Sequence, residues 1–241
     1  MELYIIRHAQ STNNALLDQT LRVADPPLTE LGERQAVRLA EHLSTATDIA
    51  DLPQIAGLDN TGSPRNGKGY GLDRLYCSAM GRSLQTAQPI AAALGVRPEV
   101  WIDIHEVGGI FLEDEQGVRG FGGKTRQEIE TCYPDYVLPD AIGETGWWTG
   151  GLEEEAARTQ RAIQVATRLH EWADRDERIG IISHGGFISR LLRALFNQPM
   201  ARLVFYQHYN TALTRIRFRD GGLLIPDYIN RVDHLPAALI S

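Results

Sequence analysis

The chain has 241 residues, 43% hydrophobic and 23% charged, the balance of a soluble globular protein large enough to bury one sizeable core, with no repeat or low-complexity tract. Twenty-four basic residues against 31 acidic ones leave a formal charge of −7 without a basic run. That argues against a nucleic-acid partner or an anionic membrane surface and confines any anion site to a local pocket. No leader-like or membrane-spanning apolar stretch stands in the sequence, so the cytoplasm is the expected compartment and residues 1–241 the expected single domain.

In chain order, Leu3 to Ile6 is an unbroken apolar run, as in a strand covered on both faces. An amphipathic helix is predicted from Thr29 to Leu43, with Leu31, Ala36, Leu39, Ala40 and Leu43 on one face and Glu30 and Glu33 near its positive end. Residues 45–72, rich in glycine and turn formers, read as a loop insertion. A strand is predicted at Arg74 to Ser78, a helix at Arg82 to Leu94 and a strand at Val100 to Ile104. Residues 107–150, glycine-rich and carrying Trp147 and Trp148, read as a lid excursion with one short helix near Thr125 to Cys132. A long helix starts near Leu152, with Ala156, Ile163, Ala166, Leu169 and Ala173 expected inward. Arg178 to Ser183 is a strand, the segment after Gly186 a helix, and Thr211 to Phe218 an alternating strand with one face less fully buried. Strands alternating with helices give an α/β fold: a three-layer α/β/α sandwich around a mixed, mostly parallel sheet. Cys77 and Cys132 have neither disulfide-framework nor zinc-ligand spacing and are expected to be reduced.

In open α/β sheets ligands bind beyond the carboxyl ends of the strands. The first strand ends in Arg7 and His8, and Arg82 follows the second. His105 and Glu106 follow the third. His184 ends the fourth, and Gly185 and Gly186 then open a helix whose N-terminal amides favour an anion, which makes Gly185 a candidate phosphate-binding position. Two arginines, two histidines and one carboxylate thus converge on one sheet edge. Guanidinium forks match phosphate oxygens, and hydrogen bonds to charged groups contribute about 1.5–3 kcal/mol each. A histidine among arginines is held neutral by like charge and is suited to attack phosphorus, while the carboxylate protonates the leaving oxygen and then deprotonates water. The arginines supply the positive charge, so no metal or cofactor is called for.

Each of these residues also has a plainer reading. A lone histidine after a strand usually caps or packs; shared placement with two arginines favours chemistry for His8 and His184. His105 reads as structural. Asp103 and Glu113 compete with Glu106 for the acid role. Ser78 is either a strand-end cap or a partner orienting the site. The zinc-protease motif fails because the residue four places after His105 is Gly109, and a P-loop at Gly122 to Thr125 fails because its first glycine falls on Val118. Trp147 and Trp148 line a lid or pack it. Arg119, Lys124 and Arg126 either meet a second anionic group or solvate the lid.

These residues resemble the histidine phosphatase superfamily, the phosphoglycerate mutase-like family. The signature is read in Arg7, His8, Ala9, Gln10, Ser11 and Asn14. It continues through "DPPLTELGERQA" from Asp25, "YCSAMGRSLQTA" from Tyr76, "HE" at 105–106, "SHGG" from Ser183 and "NTALTRIRF" from Asn210. The resemblance implies that His8 becomes phosphohistidine, that Arg7, Arg82 and His184 clamp the phosphoryl group with Asn14 as an added donor, and that Glu106 is the proton donor. Ala9 departs from the usual glycine. Lys124 to Tyr136 resembles the lid region of broad-specificity phosphatases, and the longer substrate-binding stretches of the mutases are absent. The expectation is a metal-independent phosphatase acting on a small phosphorylated metabolite, with a homodimer left open. The alternatives are a phosphoglycerate mutase-type phosphotransferase, a metallohydrolase and a catalytically silent phosphate- or phosphoprotein-binding domain.

Overall fold

The computed structural model describes residues 1–51, 69–199 and 204–241. The middle of the expected insertion, 52–68, lies outside the described residues. The strands are β1 (Glu2–Arg7), β2 (Arg74–Cys77), β3 (Pro98–Val100), β4 (Phe111–Asp114), β5 (Gly117–Gly120), β6 (Arg178–Ser183), β7 (Leu213–Phe218) and β8 (Leu224–Arg231). The α-helices are α1 (Thr12–Ala15), α2 (Glu30–Thr45), α3 (Gly81–Leu94), α4 (Arg126–Cys132), α5 (Glu155–Glu171) and α6 (Gly185–Leu195). The main sheet runs β3-β2-β6-β1-β7-β8. β3, β2, β6 and β1 pair in parallel, while β7 and β8 are antiparallel additions.

The apolar run in β1 serves two cores. Tyr4 and Ile6 pack with Leu39, Leu43, Leu84 and Ile90 of α2 and α3, whereas Leu3 and Ile5 pack with Val165, Leu169, Ile188 and Leu191 of α5 and α6. A period of two thus turns alternate side chains of one strand toward opposite helical layers. The α/β/α sandwich with a mixed, mostly parallel sheet is as expected.

Several elements differ from the reading of the sequence. The strand expected at Val100 to Ile104 is β3 followed by a 3₁₀ turn, Ile102–Ile104, so His105 and Glu106 follow that turn. The long helix starts at Glu155, and its buried face holds Arg161, Ala162, Val165, Ala166 and Leu169, with Ile163 and Ala156 outside. The helix is rotated relative to the simplest apolar pattern because Arg161 is held inward by hydrogen bonds. β7 is buried along its whole length. Its Arg215 is buried against carboxylates of Glu2, Asp48 and Asp51 at 2.7–2.9 Å, so charge alternation here reflects ion pairing rather than solvent. The lid excursion holds the β4–β5 hairpin as a separate two-stranded sheet, together with α4. Cys77 is buried and Cys132 exposed, and both are free thiols. Among the described residues no helix is long and apolar enough to cross a membrane.

Candidate active site

Backbone register assembles the centre. β1 and β6 run parallel with Arg7 opposite Ser183, the His8 amide donates to the Ser183 carbonyl at 2.9 Å, and the Ser78 amide donates to the Ile182 carbonyl at 3.1 Å. The ends of three neighbouring parallel strands, β2, β6 and β1, therefore deliver Ser78, His184 and His8 side by side.

The His8 and His184 rings lie 4.9 Å apart, centre to centre. His8 Nδ1 faces its neighbour's carbonyl, Ala9 O, at 2.7 Å, and Nε2 faces the Arg82 Nε–H at 3.1 Å. A carbonyl only accepts and a guanidinium only donates, so both contacts select the tautomer with the proton on Nδ1 and the lone pair on Nε2. Burial, then Arg82 and Arg7, hold the His8 pKa well below the ordinary histidine value. His184 is likewise lowered, first by burial and then by Arg82 and His8. Ser78 Oγ lies 2.6 Å from His184 Nε2 and accepts from the Met80 amide at 3.3 Å. The other ring nitrogen of His184, Nδ1, has no hydrogen-bond partner among the described residues.

Secondary contacts hold the loop after β1. Asn210 Nδ2 donates to the His8 carbonyl at 2.8 Å, and the Ala9 amide donates to Thr86 Oγ1 at 3.0 Å. The Ala9 methyl is fully buried with Leu28 and Ala36, which accommodates alanine where glycine is usual. Gly32 lets α2 approach this loop: a Cβ there would lie 2.1 Å from the Gln10 carbonyl oxygen. Asn14, on α1, accepts through Oδ1 from the Ser11 amide and hydroxyl at 3.1 and 3.0 Å. Asn13 pairs with both backbone groups of Val23 at 2.8 and 3.1 Å and fixes the segment that forms one cavity wall.

Arg7 Nη1 donates to the His208 carbonyl at 2.6 Å, while its buried Nε has no partner among the described residues. Arg82 Nη1 lies 3.8 Å from Asp25, whose carboxylate accepts from the Gly81 amide at the start of α3. Burial lowers both guanidinium pKa values; Asp25 and Glu106 oppose this at Arg82, and Glu106 opposes it at Arg7. Burial in turn raises the Asp25 pKa.

Glu106 sits at the N-terminus of α6. Its Oε1 accepts from the amides of Val107 (2.8 Å) and Phe187 (2.9 Å), and its Oε2 from Gly186 (3.2 Å). The group seated at that helix end is thus the protein's own Glu106 side chain.

A cavity of about 570 Å³ opens on this centre, and Arg7, His8, Asn14, Arg82 and Glu106 line it. Arg22 and Val23 stand on one wall and Phe111, Leu112, Glu113 and Asp114 on another. His184 is fully buried behind His8, and neither it nor Gly185 lines the cavity. Glu113 reaches the cavity from β4; Asp103 does not. His105 is buried, donates Nδ1–H to the Ile102 carbonyl at 2.7 Å and packs on Trp147 and Trp148 at 5.2 and 4.8 Å, with its pKa lowered to about 4 by burial and then Arg161. The tryptophans therefore pack the excursion and do not line the cavity. Gly109, at φ +75°, is required beneath Trp148, whose ring a Cβ would meet at 2.2 Å. Arg119, Lys124 and Arg126 are not among the lining residues. No group of three His, Cys, Asp or Glu side chains among the described residues is arranged to hold a metal ion. The reading of the sequence missed Asp25, Thr86 and Asn210 as partners of the centre; all three stand in the quoted motif blocks.

An α/β sheet that gathers two histidines and two arginines at the ends of its parallel strands and the start of α3, three of them lining one cavity, defines a phosphoryl-handling enzyme. The model of the histidine phosphatase superfamily (branch 1) matches residues 3–52 and 65–230, and the chain belongs to that family. Similar solved structures include the Entamoeba histolytica phosphoserine phosphatase in complex with phosphoserine (20% identity, TM-score 0.56, 98% of this chain and 99% of that one). A mycobacterial glucosyl-3-phosphoglycerate phosphatase in complex with VO3 is also similar (19% identity, TM-score 0.56, 96% and 99%). At these identities the likeness establishes the fold. No curated protein sequence matches the chain.

Proposed function

We propose that the protein is a metal-independent phosphomonoesterase of the cytoplasm, acting on a small phosphorylated metabolite through a phosphohistidine on His8. The observation that carries this reading is the His8 tautomer: Nδ1–H on the Ala9 carbonyl and an Nε2 lone pair beside Arg82 at the cavity. A neutral imidazole with that lone pair is the form that attacks phosphorus.

In the first step His8 Nε2 forms the N–P bond as the ester P–O bond breaks, and the leaving oxygen takes a proton from Glu106. In the second, water adds to phosphorus, the N–P bond breaks, and the water proton returns to Glu106. Arg7, Arg82 and Asn14 stabilise the phosphoryl oxygens, whose charge grows in both transition states, and His184 packs behind the nucleophile. Gly185 opens the helix that seats Glu106. The Entamoeba neighbour's phosphoserine is a small phosphomonoester, which supports that substrate class here.

The test is phosphate release from p-nitrophenyl phosphate and from an alkyl phosphate. The parent protein should turn over both with EDTA present, and His8→Ala should abolish turnover while unfolding at the parent's temperature. Loss of activity on chelation supports a metallohydrolase instead, and no release at any pH supports a silent binding domain.

A further inference from the structure

Arg161 of α5 and Glu153, just before that helix, lie outside the cavity, and each is more than nine-tenths buried. They form a two-pronged ion pair, Nε to Oε1 and Nη2 to Oε2, both at 2.7 Å. The remaining guanidinium nitrogen, Nη1, donates to the carbonyls of Asp103 at 2.7 Å and His105 at 2.9 Å. Glu153 takes the other side of the same segment: its Oε2 accepts from the Gly108 amide at 3.2 Å, and its own amide donates to the Gly108 carbonyl at 3.0 Å. Glu106 stands between these two sets of bonds. The guanidinium also lies 4.5 Å from the centre of the Phe187 ring, and the Phe187 amide donates to Glu106 Oε1.

A buried ion pair is a weak source of net stability, because desolvation offsets much of its attraction; a well-packed apolar pair serves as well. What this pair does that an apolar pair cannot is satisfy three backbone groups of an irregular segment, the Asp103 and His105 carbonyls and the Gly108 amide. We infer that Arg161 and Glu153 are positioning residues for Glu106: they fix the 103–108 segment from both sides so that the carboxyl group meets the leaving oxygen. The inference rests on the reading of Glu106 as the proton donor. Misplacing a reacting group by about an ångström costs on the order of 10²-fold in rate, so a loosened segment should show in the step that needs the acid.

Leaving groups separate positioning from mere stability. An alkyl phosphate needs its leaving oxygen protonated; p-nitrophenolate hardly does. In Glu153→Gln, which keeps the side chain's size, and independently in Arg161→Lys, kcat/KM, which reports only the steps through departure of the alcohol, should fall about tenfold or more for glycerol 2-phosphate, against less than about threefold for p-nitrophenyl phosphate. Added to Glu106→Gln, Glu153→Gln should cause no further loss on glycerol 2-phosphate, since the group it positions is already gone. Equal losses on both substrates that follow the folded fraction in a thermal unfolding curve would overturn the inference, and so would no loss on either. If Glu106→Gln is selective for the alkyl ester and neither other variant is, positioning fails while the acid assignment stands. If Glu106→Gln itself shows no selectivity, the acid assignment fails and takes this inference with it. Either variant alone decides the matter, so a failure of one to fold leaves the test in place.

Discussion

At the scale of the residue, the chemistry depends on which nitrogen of each imidazole carries the proton. His8 is set by a carbonyl on one side and a guanidinium on the other, and the His184 Nε2 is held by the Ser78 hydroxyl. Ser78→Ala should leave the buried His184 Nε2 without a partner and cost about 1–3 kcal/mol, read from urea unfolding, with a loss of kcat that Ser78→Thr partly restores. Asn210→Leu removes the bond to the His8 carbonyl; it should lower kcat by about tenfold or more with a smaller change in KM, because the nucleophile rather than the binding surface is displaced. Arg7, His8 and Arg82 could be singled out in sequence because they end a strand, follow it or stand in the first turn of a helix; Glu106 was singled out as following a strand, although a 3₁₀ turn stands between it and β3. Asn210 was not, since its partner lies 202 positions away and only the pairing of β1 with β7 brings them together.

At the scale of the element, periodicity located the helices well and their faces less well. α5 turns Arg161 inward and Ile163 outward, the reverse of what apolarity suggests, because the guanidinium finds Glu153 and two carbonyls inside. β7 misled in the same way: its Arg215 and Arg217 look like part of a wet face, yet Arg215 and Asp48 are buried together. Asp48 also accepts from the hydroxyls of Tyr4 and Tyr228, each at 3.0 Å, so it joins β1, β7 and β8 beneath the start of the expected insertion. Asp48→Ala should therefore cost about 3–5 kcal/mol in denaturant unfolding by leaving Arg215 with less compensation. Replacing the pair by apolar residues of similar volume should recover much of that loss. Nothing in composition marks Asp48 for this role, because a lone aspartate near a turn-rich loop ordinarily faces water.

At the scale of the whole molecule, several buried histidines are neutral and are harder to protonate than free imidazole. His8 and His184 are lowered well below the ordinary value, and His105 and His234 to about 4. Below the unfolded value the unfolded chain binds protons that the folded chain refuses, so stability from these groups is intact above that value and is lost as pH falls. The unfolding free energy read from urea titrations should drop between about pH 6.5 and 4, by up to about 1.4 kcal/mol per pH unit for each such histidine. Because His8 is already neutral, kcat/KM should persist on the acid side of the ordinary histidine range. The sandwich and the convergence of strand ends were legible in the sequence; the walls of the cavity were not, because the segment after α1 and the β4–β5 hairpin take their course from contacts distant in sequence. The most direct measurement is to quench the enzyme in base during turnover of a ³²P-labelled phosphomonoester. The account requires label on His8 that is stable in base, released by acid and absent from His8→Ala; phosphate release at the parent's full rate by His8→Ala, with no label on the parent's His8, would contradict it.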